Sequence, residues 1–247
     1  YLRGLVFREH PGLYYISNSA MGVVSGGGPY RALSPKSYFQ SYGHDKFHSE
    51  RGMPNVMNYE SMLLTFGTDK IEPVNTSETP NPVYGLHDYT LGGGKGSSAQ
   101  AASSFNDMIE KAFGRPRDAK QFAEWAQWIN YDGYRAIFEG RSEHRRGMLL
   151  WMSHSAWPSM VWQTYDYYYD LTGAYFGCKQ ACEPVHIYWN PVTEEVKVAN
   201  TTTKDYDGLT AEATVYNMDG KPVARYSEKA TINSTSNAVA QCFKLKF

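Results

Sequence analysis

The sequence predicts an α/β chain in two parts: strand–helix alternation over residues 1–184 and an antiparallel, sandwich-like module over residues 185–247. Three observations predict it. Short apolar runs at residues 13–16, 46–48 and 147–152 each open into polar loops, with helical spacing in between. Phe122, Trp125, Ile129, Tyr134 and Phe138 recur as one face of a long helix. From Val185 onward the apolar period falls to two, with turn signals such as Met218-Asp219-Gly220 between segments.

Taken in order, residues 1–9 read as a helix closed by His10-Pro11-Gly12. Residues 13–16, Leu-Tyr-Tyr-Ile, read as a buried strand. They open into Ser17-Asn18-Ser19 and a glycine-rich stretch, Ser25-Gly26-Gly27-Gly28-Pro29-Tyr30. The next strand, 46–48, ends at Ser49-Glu50, and residues 57–66 read as a helix. Residues 67–100 form a long Pro/Gly/Ser-rich excursion of a length that suits a functional loop. Phe105, Met108, Ile109, Ala112 and Phe113 mark one helix, and the long helix follows Gly114-Arg115-Pro116. Residues 147–152 are a strand, and 173–183 a helix stopped by Pro184. The module after it reads as strands at 185–189, 196–200, 209–216, 223–230 and 238–247.

Composition narrows the partners. A chain of 247 residues can bury a sizeable core, and its net charge of −1 is spread without a basic stripe, which argues against nucleic acid. No apolar run approaches the roughly 18 residues of a membrane span. Three cysteines are too few for a disulfide framework, and Cys178 and Cys182, one helical turn apart, read as buried thiols. Aromatics reach 15%, with 20 Tyr and 6 Trp, which suits carbohydrate contact as well as a tyrosine-rich core.

Two stretches carry the chemistry. Phe47-His48-Ser49-Glu50-Arg51-Gly52-Met53-Pro54 places a lone glutamate at a strand end, where parallel α/β barrels hold their catalytic groups. Trp151-Met152-Ser153-His154-Ser155-Ala156-Trp157-Pro158 places two tryptophans past another strand end, among polar residues that suit a pocket rim. A glutamate alone is usually a solvated surface group, and a tryptophan alone is usually core. Together they equip a site for glycosidic-bond cleavage: the carboxylate attacks the anomeric carbon and the aromatics hold the apolar face of a sugar ring. His44 and His48 lie four apart, which on a strand separates them widely, and no third ligand is evident, so no metal is expected. Gly92-Gly93-Gly94-Lys95-Gly96-Ser97 lacks the Ser or Thr that follows the lysine in a phosphate loop. No serine has a nucleophile-elbow frame.

These segments resemble glycoside hydrolase family 2, in its exo-β-glucosaminidase and β-mannosidase branch. Phe47–Gly52 is similar to the segment that ends the seventh barrel strand, and Trp151 through Pro158 to the one that ends the eighth. Residues 18–30 are similar to the sixth strand and its loop. The resemblance implies the C-terminal portion of a (β/α)8 TIM barrel over 1–184, followed by an incomplete antiparallel immunoglobulin-like β-sandwich over 185–247. It implies Glu50 as the nucleophile of a retaining exo-acting β-glycosidase, with Asn18, Ser49, Trp151, His154 and Trp157 binding substrate. The substrate would be an oligosaccharide or glycoside, of β-glucosaminide, β-mannoside or β-galactoside type. No cofactor is implied. A periplasmic or secreted location is.

The resemblance has gaps. Many relatives carry Asn or Asp where this chain has His154 and Ser155. The family's acid/base glutamate follows an asparagine, and this chain has no Asn-Glu dipeptide. The expectation is therefore a fragment that lacks the acid/base and is completed by an N-terminal part of a parent chain. The alternative is a non-catalytic carbohydrate-binding or scaffold protein with a degenerate glycosidase fold.

Overall fold

The computed structural model describes residues 1–26, 31–40, 46–76, 79, 81–87, 97–142 and 147–246. Helix α1 (Leu2–Glu9) opens the chain, followed by strand β1 (Val24–Ser25), helix α2 (Pro35–Gln40), strand β2 (Phe47–Arg51) and helix α3 (Tyr59–Phe66). Part of the long excursion is helical: α4 spans Pro82–His87, and α5 begins at Ser97 and runs to Phe113. The long helix α6 (Ala119–Ser142), strand β3 (Met148–Leu150) and helix α7 (Gly173–Ala181) follow.

Among the described residues β1, β2 and β3 form one parallel sheet in that order. Ser25 pairs with His48, and His48 pairs with Met148, so all three strands deliver their carboxyl ends to the same side. The strand expected at residues 13–16 does not form: Leu13 is 56% and Tyr14 75% exposed, and β2 takes Val24–Ser25 as its neighbour. β-propensity reports fit to a pleated, half-buried surface, and these side chains have no such surface to meet. Gly27–Tyr30, His44 and Gly92–Gly96 lie outside the described residues.

Helix α6 organises this half. Of the expected face, Phe122, Ile129 and Tyr134 are buried and Trp125 and Phe138 half-buried; with Ala126 and Ile137 they join Met53, Val56, Met57 and Met62 in the core. Helix α7 packs closely on α6 because Gly177 lacks a side chain: a Cβ there would lie 2.3 Å from the Tyr131 carbonyl oxygen.

The remaining strands are antiparallel. β4 (Val185–Asn190), β5 (Glu195–Asn200) and β8 (Ala238–Lys244) form one sheet, while β6 (Tyr206–Ala213) and β7 (Glu228–Ser234) pair in another. The strand expected at 223–230 starts late, because Ala224–Tyr226 is a 3-10 turn. In β4 the alternation holds: His186, Tyr188 and Asn190 are buried and Ile187 and Trp189 are exposed. The buried face meets the α-helical half, where Tyr188 stacks on Phe39 with ring centroids 6.2 Å apart. Beside it His186 Nε2 lies 2.9 Å from Glu139 Oε1 on α6.

Candidate active site

Parallel register gathers the first part of the site. Gly26 follows β1, Glu50 is the penultimate residue of β2, and Trp151 follows β3, so the three emerge side by side at the carboxyl end of the sheet. The Trp151 amide donates to the Arg51 carbonyl at 2.8 Å, extending the ladder one residue past β3. Glu50 is half-buried, and its Oε1 accepts a hydrogen bond from the Ser19 hydroxyl at 3.2 Å. The Ser49 hydroxyl donates to the Ser19 carbonyl at 2.7 Å, so both neighbours of the strand end are tied to the loop before β1. Gly26 leaves the room this needs, since a Cβ there would fall 2.6 Å from both Glu50 Cγ and Ser49 Oγ.

The chain beyond Glu50 is unusual in being buried from Gly52 through Met57. A buried loop must satisfy its backbone, and polar side chains of α6 do so here. Asn130 donates to the Pro54 carbonyl at 2.6 Å and accepts from the Val56 amide at 3.3 Å. Gln127 donates to the Val56 carbonyl at 3.0 Å. The Tyr134 hydroxyl accepts from the Met53 amide at 3.4 Å and donates to the Trp162 carbonyl at 2.8 Å. That last residue thus ties the β2 exit to the β3 exit, and the two strand ends are held as one unit.

Other expected site residues sit apart from Glu50. Asn18 is exposed, and its Oδ1 accepts from the Ala20 amide at 2.9 Å in a local turn. Trp151 and Trp157 are 44% and 48% exposed, an unusual state for tryptophan in a packed chain and one that leaves ring surface open. Trp157 leans on His87, with centroids 5.9 Å apart. His154 stacks instead on Tyr169, at 4.6 Å and 17°, and more distantly on Tyr167. Those tyrosines belong to a turn closed by Asp166, whose Oδ1 accepts from the amides of Tyr168 and Asp170 at 2.9 Å each. Among the described residues, His154 Nε2, Ser155 Oγ and Asp166 Oδ2 are buried without a hydrogen-bond partner.

Nothing described gathers a metal site: no group of three or more His, Cys, Asp or Glu side chains comes together among the described residues. Two clefts, of about 410 and 540 Å³, flank β3 and α7 away from Glu50, the second lined by Leu150, Tyr165, Tyr175 and Cys178.

A mannosylglycoprotein endo-β-mannosidase of Lilium longiflorum is 29% identical over 206 residues, which is 78% of this chain and 21% of that protein. An exo-β-D-glucosaminidase of Amycolatopsis orientalis is 37% identical over 134 residues, 51% of this chain and 13% of that protein. The solved exo-chitosanase of the same organism superposes with a TM-score of 0.73 at 26% identity, covering 91% of this chain and 27% of that one. The chain is thus similar, in sequence and in structure, to exo-β-glucosaminidases and β-mannosidases of glycoside hydrolase family 2. A β-D-mannosidase from Dictyoglomus thermophilum, at 19% identity and a TM-score of 0.66, shares the fold. No family model matches the sequence. The chain spans about a fifth or less of the length of these curated relatives.

Within this glycosidase relative, sequence reasoning missed Ser19, Gly26 as the neighbour of Glu50, and His87. Ser19 and Gly26 lay inside segments already singled out as loops. His87 carried no signal, because its partners Trp157 and Pro158 are some seventy residues away.

Proposed function

We propose that this chain carries the nucleophile and sugar-facing aromatics of a retaining, exo-acting β-glycosidase that cleaves terminal β-linked glucosaminides or mannosides. The observation that carries the reading is Glu50 at the carboxyl end of a central parallel strand, held by Ser19, with half-exposed Trp151 directly after the neighbouring strand. Glu50 attacks the anomeric carbon and forms a glycosyl-enzyme intermediate, while Trp151 and Trp157 hold the sugar's apolar face. In this reading Ser49, beside Glu50, together with Asn18 and His154 supplies polar contacts to the sugar.

The second carboxylate would stand about 5–5.5 Å from Glu50 in the retaining geometry, first as acid and then as base. In this proposal it comes from protein beyond these 247 residues. Among the described residues the outer edges of β1 and β3 carry no further strand, and three strands cannot close a barrel. We therefore place residues 1–184 in a (β/α)8 barrel completed by other parts of the protein, and 185–247 in an immunoglobulin-like sandwich. Residues 1–247 alone would be inactive.

The test uses the full-length protein and 4-nitrophenyl β-D-glucosaminide and β-D-mannoside. Glu50→Gln should abolish turnover while sugar binding persists, because the shape stays and the nucleophile goes. Near-normal kcat in that variant would sink the assignment. A second reading, endo-acting cleavage, is prompted by the lily relative, an endo-β-mannosidase 29% identical over 78% of the chain. Product analysis on a β-mannoside oligosaccharide separates the two: exo attack releases only monosaccharide at early times.

A further inference from the structure

His87 ends α4, the short helix inside the excursion between α3 and α5 that the proposed mechanism leaves without a role. Its ring nitrogen Nδ1 lies 2.9 Å from the Pro158 carbonyl oxygen. A carbonyl only accepts, so Nδ1 carries the proton and donates. Its own carbonyl accepts from the Met160 amide at 2.7 Å. The two bonds clamp residues 158 to 160, directly after Trp157, onto the end of α4.

The imidazole face then supports the indole. Trp157 sits 5.9 Å from His87, centroid to centroid, with 33° between planes. Behind His87 the packing continues inward. Phe66 meets its ring at 5.4 Å, edge on, and stacks on Tyr84 at 4.7 Å. Tyr84 is fully buried, and its hydroxyl donates to the Ile71 carbonyl at 3.1 Å. A run of rings thus leads from a half-exposed tryptophan to the core. An indole backed by a fixed ring loses less freedom when a sugar docks than one on a free loop.

We infer that His87, at the end of α4, is a positioning residue for Trp157, fixing the indole plane against which the sugar stacks. The inference rests on the sugar-stacking role proposed for Trp157. His87 itself acts through Trp157.

The experiment is a double-mutant cycle in the full-length protein, with KM and kcat measured on whichever of 4-nitrophenyl β-D-glucosaminide and β-D-mannoside it hydrolyses. His87→Ala is expected to raise KM about three- to tenfold with kcat changed by less than about twofold, the signature of lost binding rather than lost chemistry. Trp157→Ala is expected to raise KM at least as much, and the double variant no further than Trp157→Ala alone. His87→Asn keeps an N–H donor for Pro158 and removes only the ring. It reads the same cycle if the alanine variant fails to fold. A double variant whose KM equals the product of the two single effects overturns the inference, as does an unchanged KM in folded His87→Ala or His87→Asn beside a raised KM in Trp157→Ala. An unchanged KM in Trp157→Ala overturns the stacking role itself, and leaves the assignment of Glu50 to its own test.

Discussion

Gly26 and Glu50 share one space: a Cβ on residue 26 would lie 2.6 Å from Glu50 Cγ and 2.8 Å from the Ser19 carbonyl oxygen. The first neighbour is part of a side chain that could turn away. The second is backbone and cannot. The residue after β1 thus decides whether the carboxylate can hold its place, although it carries no reactive group.

Gly26→Ala should therefore damage both catalysis and stability. The added methyl pushes Glu50 off its bond to Ser19, and a displacement of about 1 Å can cost on the order of 100-fold in rate. Steady-state kinetics of the full-length variant beside a thermal melt provides the check. A stable variant with normal kcat would show that Glu50 has room to spare.

Ser19→Ala removes the hydroxyl that donates to Glu50 at 3.2 Å and leaves the Ser19 carbonyl free to accept from Ser49 as before. A hydrogen bond to a charged group contributes about 1.5–3 kcal/mol where it is well formed, and this one is long and half-exposed, so roughly a tenfold fall in kcat is expected. Thermal stability should barely move. A fall in stability with unchanged kcat would make Ser19 a packing residue only.

The fold was legible where a period is long. Helices α5, α6 and α7 and strands β4, β5 and β8 announce themselves because many residues repeat one spacing, and no partner elsewhere has to be known. The neighbour of β2 was not legible. Leu13, Tyr14, Tyr15 and Ile16 look more like a strand than Val24-Ser25, but pairing depends on register with β2, which local propensity does not encode. The site divides the same way. The strand-end positions of Glu50 and Trp151 could be read because a strand end is a local pattern. Ser19 and His87 act across 31 and 71 positions of sequence, and only the folded chain brings them to Glu50 and Pro158.

Cys178 should resist modification in the native protein. Burial, with Cys182 beside it, pushes its thiol far above the ordinary value, and burial alone raises Cys182 and Cys242. A raised thiol pKa means less thiolate at any given pH, and thiolate is the reactive form. Cys182 is exposed, not buried as its sequence pattern suggested, so iodoacetamide at pH 8 should label it first and half-buried Cys178 far more slowly until denaturant is added. Mass spectrometry of peptides after timed labelling reads this directly. Native-state labelling of Cys178 at the rate of a free thiol would mean that α7 opens readily.

The junction between α6 and β4 should depend on Glu139. Its carboxylate lies 2.9 Å from His186 Nε2 and 3.6 Å from Arg135 Nε, and both Glu139 and His186 are about 5% exposed. Glu139→Ala leaves a buried imidazole N–H and a guanidinium without this acceptor. Arg135 is partly exposed and can turn toward water, whereas His186 cannot. The expected loss is about 2–4 kcal/mol, below the full penalty for a stranded buried charge because an imidazole can stay neutral. His186→Ala combined with Glu139→Ala should cost less than the sum of the single changes, with a coupling above about 1 kcal/mol. Denaturant unfolding of the four proteins supplies the numbers. Simple additivity would mean that the sheet is held to the helices by apolar packing, such as that of Tyr188 on Phe39 of α2, and that the polar pair is incidental.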